Sequence, residues 1–175
     1  MKFINTSTDY GLISKSFHWL RAAVLIIQIP LGMYLVDMDF SEKRLTIENI
    51  HVAVGISIFY LTILRLIYKT FNPTPNLNNN IFPGQKIIAK LNHVFLYISI
   101  LMITISGALK KLYNGEELNM FFFNLEIQDN FELAEIFYEI HILGNYTLIA
   151  LISLHIFAVL IHKILFKENL LKRIL

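Results

Sequence analysis

The residues of this sequence with the clearest capacity for chemistry are its histidines, because the chain contains no cysteine. Six histidines lie within or beside long apolar segments: His18, His51, His93, His141, His155 and His162. Ionisable groups are costly in hydrocarbon and usually mark a functional site. One such imidazole could simply form a hydrogen bond between helices, but six together indicate a set of ligands. Without cysteine there is no thiol nucleophile and no iron–sulfur cluster, so redox chemistry needs a bound cofactor.

The spacing of these histidines predicts two sites at different depths. His141 and His155 are 14 residues apart, so on one helix they differ by about 40° in direction and by about 21 Å in height. The same interval recurs in the three other apolar segments, between His18 and Gly32, His51 and Arg65, and His93 and Gly107. Four helices that present such positions at two levels predict a bundle with two stacked cofactor sites in its core.

Haem is the cofactor that suits these sites, since its iron accepts imidazole from two opposite sides and tolerates an apolar shell. Two such haems need four histidines. His51 and His141 both begin helices at the outer side and are expected to face each other, whereas His18 lies at the inner side. Its partner is to be found among three inner histidines: His155, which we favour, and its rivals His93 and His162.

Glycines and arginines at the same levels extend this prediction. A glycine lets a flat macrocycle approach the backbone closely, and Gly55, one turn after His51, could act in this way. Such glycines also permit simple contact between helices. Arg21 and Arg65 lie at the inner level, where each could bind a haem propionate or instead extend towards the lipid headgroups.

The composition places these residues in a membrane protein. The 175 residues are 55% apolar and 16% charged, with a mean hydropathy of +0.57. We expect a single all-α domain over residues 1–175, with transmembrane helices at about 14–36, 50–68, 91–112 and 136–166. The connection from Lys69 to Lys90 is rich in proline and asparagine and is predicted to be a surface loop. Nucleic acid is not an expected partner, because the net charge is only +2.

Charge placement predicts the orientation in the membrane. With both termini in the cytoplasm, eleven of the fifteen basic residues lie on the cytoplasmic side, as the positive-inside rule requires. Eleven of the thirteen acidic residues then lie outside, which gives the outer face a net charge near −7.

The chain resembles the bacterial cytochrome b561 family of small four-helix membrane proteins with two haems. The resemblance covers nearly the whole length and rests on four segments: Phe17-His18-Trp19-Leu20, His51-Val52-Ala53-Val54-Gly55, Asn92 to Tyr97 with the later Ser106-Gly107, and His141 with His155. It implies axial ligation of one haem b by His18 and His155 and of the other by His51 and His141. His93 matches a family histidine that is not expected to bind iron and lies near a haem edge or propionate.

The resemblance also implies a function at the bacterial inner membrane. Family members pass single electrons between haems and a quinone, and one type oxidises superoxide at the outer face while it reduces ubiquinone. Superoxide is an anion that an outer face near −7 would repel, so a local basic patch is needed to attract it. Lys110 and Lys111, at the outer end of the third helix, are the candidates for this steering, although both could simply extend to the membrane surface.

Two other functions fit the same histidines. The protein could be a haem-bearing anchor or relay subunit for a soluble dehydrogenase or hydrogenase, in which case a redox protein is its partner. It could also be a transporter without haem, in which the histidines line a path through the bilayer.

Overall fold

Four long helices dominate the chain, in a computed structural model that describes residues 2–75 and 83–175. They are α1 (Leu12–Val36), α2 (Glu42–Phe71), α3 (Pro83–Tyr113) and α4 (Phe131–Ile164). Between α3 and α4 lies a small hairpin of β1 (Leu118–Asn119) and β2 (Asn124–Leu125), and a 3-10 turn, Leu170–Arg173, follows α4. All four helices are long and apolar enough to cross a membrane. The predicted all-α bundle of four transmembrane helices is therefore confirmed.

The helices extend beyond the apolar spans expected from the sequence. α2 begins at Glu42 and α3 at Pro83, in segments that hydropathy alone assigns to the connections. Polar residues start two of these extensions: the Ser41 hydroxyl accepts a hydrogen bond from the Arg44 N–H at 3.2 Å, and Asn130 caps α4 in the same way. Hydropathy measures only the part of a helix inside the hydrocarbon, so it misses these polar turns. The predicted asparagine-rich loop at 76–80 lies outside the described residues.

Packing between the helices is uneven. α3 and α4 pack along much of their length, and α2 lies between α1 and α3, whereas the described parts of α1 and α4 do not pack closely together. A central cluster of Ile58, Ile100 and Leu148 joins three of the helices. Many of the remaining apolar side chains point outwards, where lipid replaces water as their surroundings.

A segment before α1 closes the end of the bundle where the two termini meet. Asn5 is buried, and its side-chain oxygen accepts hydrogen bonds from the Gly11 N–H at 3.0 Å and the Ser14 hydroxyl at 2.7 Å. Its amide nitrogen donates to the Pro73 carbonyl at 2.9 Å and so ties this segment to the end of α2. At Gly11 a β-carbon would lie only 2.4 Å from the backbone of Ile4, so glycine is the one residue that fits there.

We predict that Gly11→Ala destabilises the protein by about 1–3 kcal/mol, because the added methyl group must displace backbone. The measurement is the thermal unfolding midpoint in detergent micelles. Gly84→Ala is the matched control, since a β-carbon at Gly84 meets nothing within 4 Å. Equal midpoints for the two variants would contradict the packing described for the N-terminal segment.

Candidate functional site

Two pairs of histidines face each other across the interior of the bundle. We name the two pairs outer and inner after the predicted orientation. The outer pair, His51 on α2 and His141 on α4, has ring centres 6.2 Å apart. The inner pair, His18 on α1 and His155 on α4, has ring centres 6.4 Å apart. Two imidazoles that bind one metal ion from opposite sides, with bonds of about 2 Å, have ring centres about 6 Å apart. The spacing of both pairs therefore suits a metal ion held between the rings, as in a haem with two axial histidines.

A hydrogen bond fixes which nitrogen of His141 is free to bind a metal. His141 Nδ1 lies 2.9 Å from the Ile103 carbonyl oxygen. Because a carbonyl only accepts, Nδ1 carries the proton and donates it, which leaves the lone pair of Nε2 for a metal ion. Metal-binding histidines are usually oriented by such a bond to their second nitrogen.

Glycines stand directly against the rings of the outer pair. A β-carbon at Gly32 would lie 2.8 Å from His51 Cε1, and one at Gly107 would lie 2.9 Å from His141 Cε1. Both distances are too short for a side chain, so these two glycines make room for the imidazoles. Gly55 differs, because a β-carbon there would lie 3.7 Å from Gln28 Nε2, an ordinary contact. It lines the cavity of the outer pair without touching either ring.

A cavity of about 300 Å³ opens beside the outer pair. His51, His141, Gly32 and Gly107 line it together with apolar side chains of all four helices. Charged residues at its outer rim are Asp37, Arg44, Glu48, Lys110 and Lys111. The cavity thus combines an apolar interior, two imidazoles and a charged mouth, which is the composition expected of a buried cofactor site.

Gln28 is a residue of this site that sequence reasoning missed. It is buried in the middle of α1, and its amide nitrogen donates to the His51 carbonyl at 2.8 Å. This bond ties α1 to the turn of α2 that carries a histidine of the outer pair. The signal in the sequence was an uncharged polar residue within an apolar span, where such residues commonly join helices.

Three cations surround one tyrosine beside the inner pair. The guanidinium carbons of Arg21 and Arg65 lie 4.9 and 5.8 Å from the centre of the Tyr97 ring, and Lys69 Nζ lies 5.2 Å from it. One buried Nη1 nitrogen on each arginine has no hydrogen-bond partner among the described residues. Buried cationic donors are costly unless an acceptor satisfies them, so this cluster suits an anionic group such as the carboxylates of haem propionates. Lys69 and Tyr97 were not predicted as site residues.

The two rivals of His155 lie in different surroundings. The His93 ring centre is 5.2 Å from that of His155, closer than two imidazoles on opposite sides of one metal ion. His93 therefore lies beside the inner pair. His162 is in the last turn of α4, where its Nδ1 lies 3.3 Å from a carboxylate oxygen of Glu168 and its ring contacts Phe166.

Both lysines proposed to steer superoxide form ion pairs. Lys110 Nζ lies 3.0 Å from a carboxylate oxygen of Glu48, and Lys111 Nζ lies 2.5 Å from one of Glu116. Burial alone would raise the pKa of Glu116, but hydrogen bonds from Lys111 and Asn114 outweigh it and hold the pKa below its usual value of 4.5. Each lysine thus has a carboxylate beside it, which reduces the positive field that either one projects.

Several known proteins are similar to this chain. The family model described as prokaryotic cytochrome b561 matches residues 9–175. The chain is 27% identical to "Cytochrome b561 homolog 2" of Escherichia coli (strain K12), over all of this chain and 95% of the relative. It is 25% identical to "Probable superoxide oxidase CybB" of Yersinia pestis, over 95% of each chain. It is also 28% identical to "Cytochrome b561 homolog 1" of Escherichia coli (strain K12), over 77% of this chain and 78% of the relative.

The family match covers nearly the entire chain, including all six histidines and the four membrane-spanning helices. It agrees with the resemblance that the histidine-bearing segments indicate. The chain therefore belongs to the prokaryotic cytochrome b561 family and is a multi-pass b-type cytochrome of the bacterial inner membrane.

Proposed function

We propose that this cytochrome holds two haems b and transfers single electrons between a donor at the outer face, with superoxide as the favoured donor, and ubiquinone. The observation that carries the proposal is the presence of two histidine pairs, at 6.2 and 6.4 Å, at two depths of one bundle. Haem iron supplies a reversible one-electron change between its ferric and ferrous states. The whole of residues 1–175 acts as one domain, with both termini in the cytoplasm.

The residues of the chain have distinct roles in this proposal. His51 and His141 bind the outer haem, and His18 and His155 bind the inner one. The Ile103 carbonyl orients His141 through its Nδ1–H. Apolar side chains around the cavity exclude water, which favours retention of haem and influences its potential through burial.

Basic residues near the inner pair bind the acidic groups of its haem. Arg21 and Arg65 each have a buried Nη1–H that finds no hydrogen-bond acceptor among the described residues. A propionate placed between them would satisfy both donors, and Tyr97 stacks against the two guanidinium groups from one side. His93 lies beside His155 and contributes to the wall of this site without binding the metal.

Superoxide is favoured as donor because a probable superoxide oxidase is similar to this chain over almost its full length. The overall reaction would oxidise two superoxide anions to oxygen and reduce one ubiquinone, with two protons, to ubiquinol. Lys110 and Lys111 line the mouth of the outer cavity, where an anion would arrive. Their partners Glu48 and Glu116 limit the attraction, so we expect a modest contribution from each lysine.

A relay subunit for a soluble partner is the second candidate. The acidic outer face, with a net charge near −7 in the proposed orientation, repels anions and attracts basic proteins. A basic redox protein would therefore be the donor in that case. Membership of a cytochrome family argues against the third alternative, a transporter without haem.

We predict that the purified protein contains about two haems per chain and that His51→Ala and His141→Ala each reduce this to about one. Each substitution removes one ligand of the outer pair and leaves the inner pair intact. A pyridine haemochrome assay combined with a protein determination gives the ratio. His162→Ala is the control and should keep both haems, because His162 contacts Glu168 at the end of α4. One haem in the unmodified protein would contradict the proposal.

We predict that Arg65→Gln lowers the reduction potential of the inner haem by tens of millivolts, since a nearby positive charge favours the reduced iron. The potential of the outer haem should change much less. Potentiometric titration followed by visible absorption measures both potentials. Arg65→Lys keeps the positive charge, so the potential of its inner haem should stay close to that of the unmodified protein. Equal shifts at the two haems would show that Arg65 acts on the fold instead of on the inner site.

We predict that the protein accelerates reduction of ubiquinone by superoxide and that Lys110→Gln slows this reaction about two- to tenfold, because Glu48 then loses its partner and repels the anion. Stopped-flow mixing with superoxide, followed by ubiquinol formation, measures the rate. Lys90→Gln is the matched control, since it removes the same charge from the opposite end of α3. No acceleration by the unmodified protein would leave the relay function as the better proposal.

A further inference from the structure

The hairpin between α3 and α4 carries three exposed phenylalanines. Leu118 pairs with Leu125 and Asn119 with Asn124, so residues 120–123 form its tip. The exposed fractions of Phe121, Phe122 and Phe123 are 54%, 83% and 53%. Residues 118–125 include no charged side chain. A cluster of exposed aromatic rings is unfavourable in water and indicates contact with a membrane or with another protein.

The tip is held against the side of α2. The Tyr60 hydroxyl donates a hydrogen bond to the Met120 carbonyl at 3.1 Å. The Tyr60 ring centre lies 6.4 Å from that of Phe121 and 6.0 Å from that of Phe122. At the base of the hairpin, Leu118 is almost fully buried in a cluster with residues of α2 and α3. The hairpin therefore lies along the bundle instead of extending away from it.

These contacts place the tip at the depth of the hydrocarbon. Glu48, the last charged residue before the apolar part of α2, lies twelve residues before Tyr60. The Tyr60 α-carbon is therefore about 18 Å below Glu48 along the helix. Because side chains on a helix tilt towards its N-terminus, the hydroxyl lies somewhat less than about 18 Å below Glu48. The hydrocarbon is about 30 Å thick, which puts the phenylalanines well inside one leaflet.

Part of the backbone of the tip is hydrogen-bonded within the protein. The Met120 N–H donates to the Phe123 carbonyl at 2.9 Å, and the Phe121 N–H donates to the Asn119 side chain at 2.7 Å. The Met120 carbonyl accepts from Tyr60. Phe121 has φ of 68°, the left-handed conformation that reverses the chain at the tip. Non-helical backbone at membrane depth must lie against protein, and the bond from Tyr60 holds the Met120 backbone against α2 while the phenylalanine side chains stay exposed.

We propose that residues 118–125 form a re-entrant hairpin that inserts Phe121, Phe122 and Phe123 among the acyl chains of the leaflet at the N-terminal end of α2. Acyl chains fit this surface because the neighbouring face of α2 is itself exposed and apolar, as at Leu64, which is 52% exposed. Glu117 and Glu126 flank the hairpin and mark where the chain leaves and re-enters the polar region.

The insertion connects the lipid to the outer histidine pair. Leu118 lines the cavity that contains His51 and His141. The hairpin that carries Leu118 is held at its tip by the phenylalanine side chains in the lipid. The bilayer thus helps to hold one wall of the outer site in place.

Spin labelling tests the insertion directly, because the chain contains no cysteine and each introduced thiol is the only one. We would label Phe122→Cys with a nitroxide in phosphatidylcholine vesicles and measure its collision rates with oxygen and with a water-soluble nickel chelate. Ile26→Cys is the hydrocarbon control, since Ile26 is 72% exposed in the middle of α1. Glu126→Cys is the control for water at the end of the hairpin.

We expect the ratio of oxygen to nickel collisions at position 122 to match that at position 26 and to exceed that at position 126 about tenfold, because the chelate is excluded from hydrocarbon. A ratio equal to that at position 126 would overturn the proposal by placing the tip in water. Low accessibility to both reagents would also overturn it, because protein, such as a second copy of the chain, would then cover the tip. Phe123→Cys provides a second position and must give the same result.

Discussion

Pairs of neutral imidazoles held across an apolar interior are the constraint on which the rest of this structure depends. Each ring needs a fixed direction, because a metal ion between two rings tolerates little change in their separation. The surrounding residues meet this need in different ways. The Ile103 carbonyl orients His141, while Gly32 and Gly107 leave space for the rings of the outer pair.

Charge is distributed around the two pairs in opposite ways. The inner pair lies near Arg21, Arg65 and Lys69, which gather around Tyr97. Each of the two arginines has a buried Nη1 with no hydrogen-bond partner among the described residues. At the mouth of the outer cavity, Lys110 and Lys111 are each paired with a carboxylate. An unpaired buried cation binds an anion far better than a cation that already has a partner. The inner cluster is therefore suited to binding an anionic group, whereas the mouth of the outer cavity carries nearly balanced charge.

The sequence predicted the parts of the fold that depend on local periodicity and depth. Histidines 14 residues apart on one long helix must lie at two heights. Because successive helices run antiparallel, α2 and α4 run in the same direction and place His51 level with His141. What the sequence did not predict depends on contacts between distant segments. The pairing of Lys110 with Glu48 joins α3 to α2, and the contact between Tyr60 and Phe122 joins residues separated by a loop and a helix. The phenylalanine segment also escapes hydropathy analysis, because it is too short to span a membrane.

Among the helices, α4 alone supplies a histidine to each of the two pairs. A residue inserted or deleted between His141 and His155 would turn one ring away from its partner by about 100°, and no adjustment of the loops could correct it. In the proposed function, the interval between these two positions would set the separation of the two haems, and with it the rate of electron transfer between them. A change of length in a connection between helices leaves this interval intact, whereas the stretch of helix between the two histidines can change in composition but not in length.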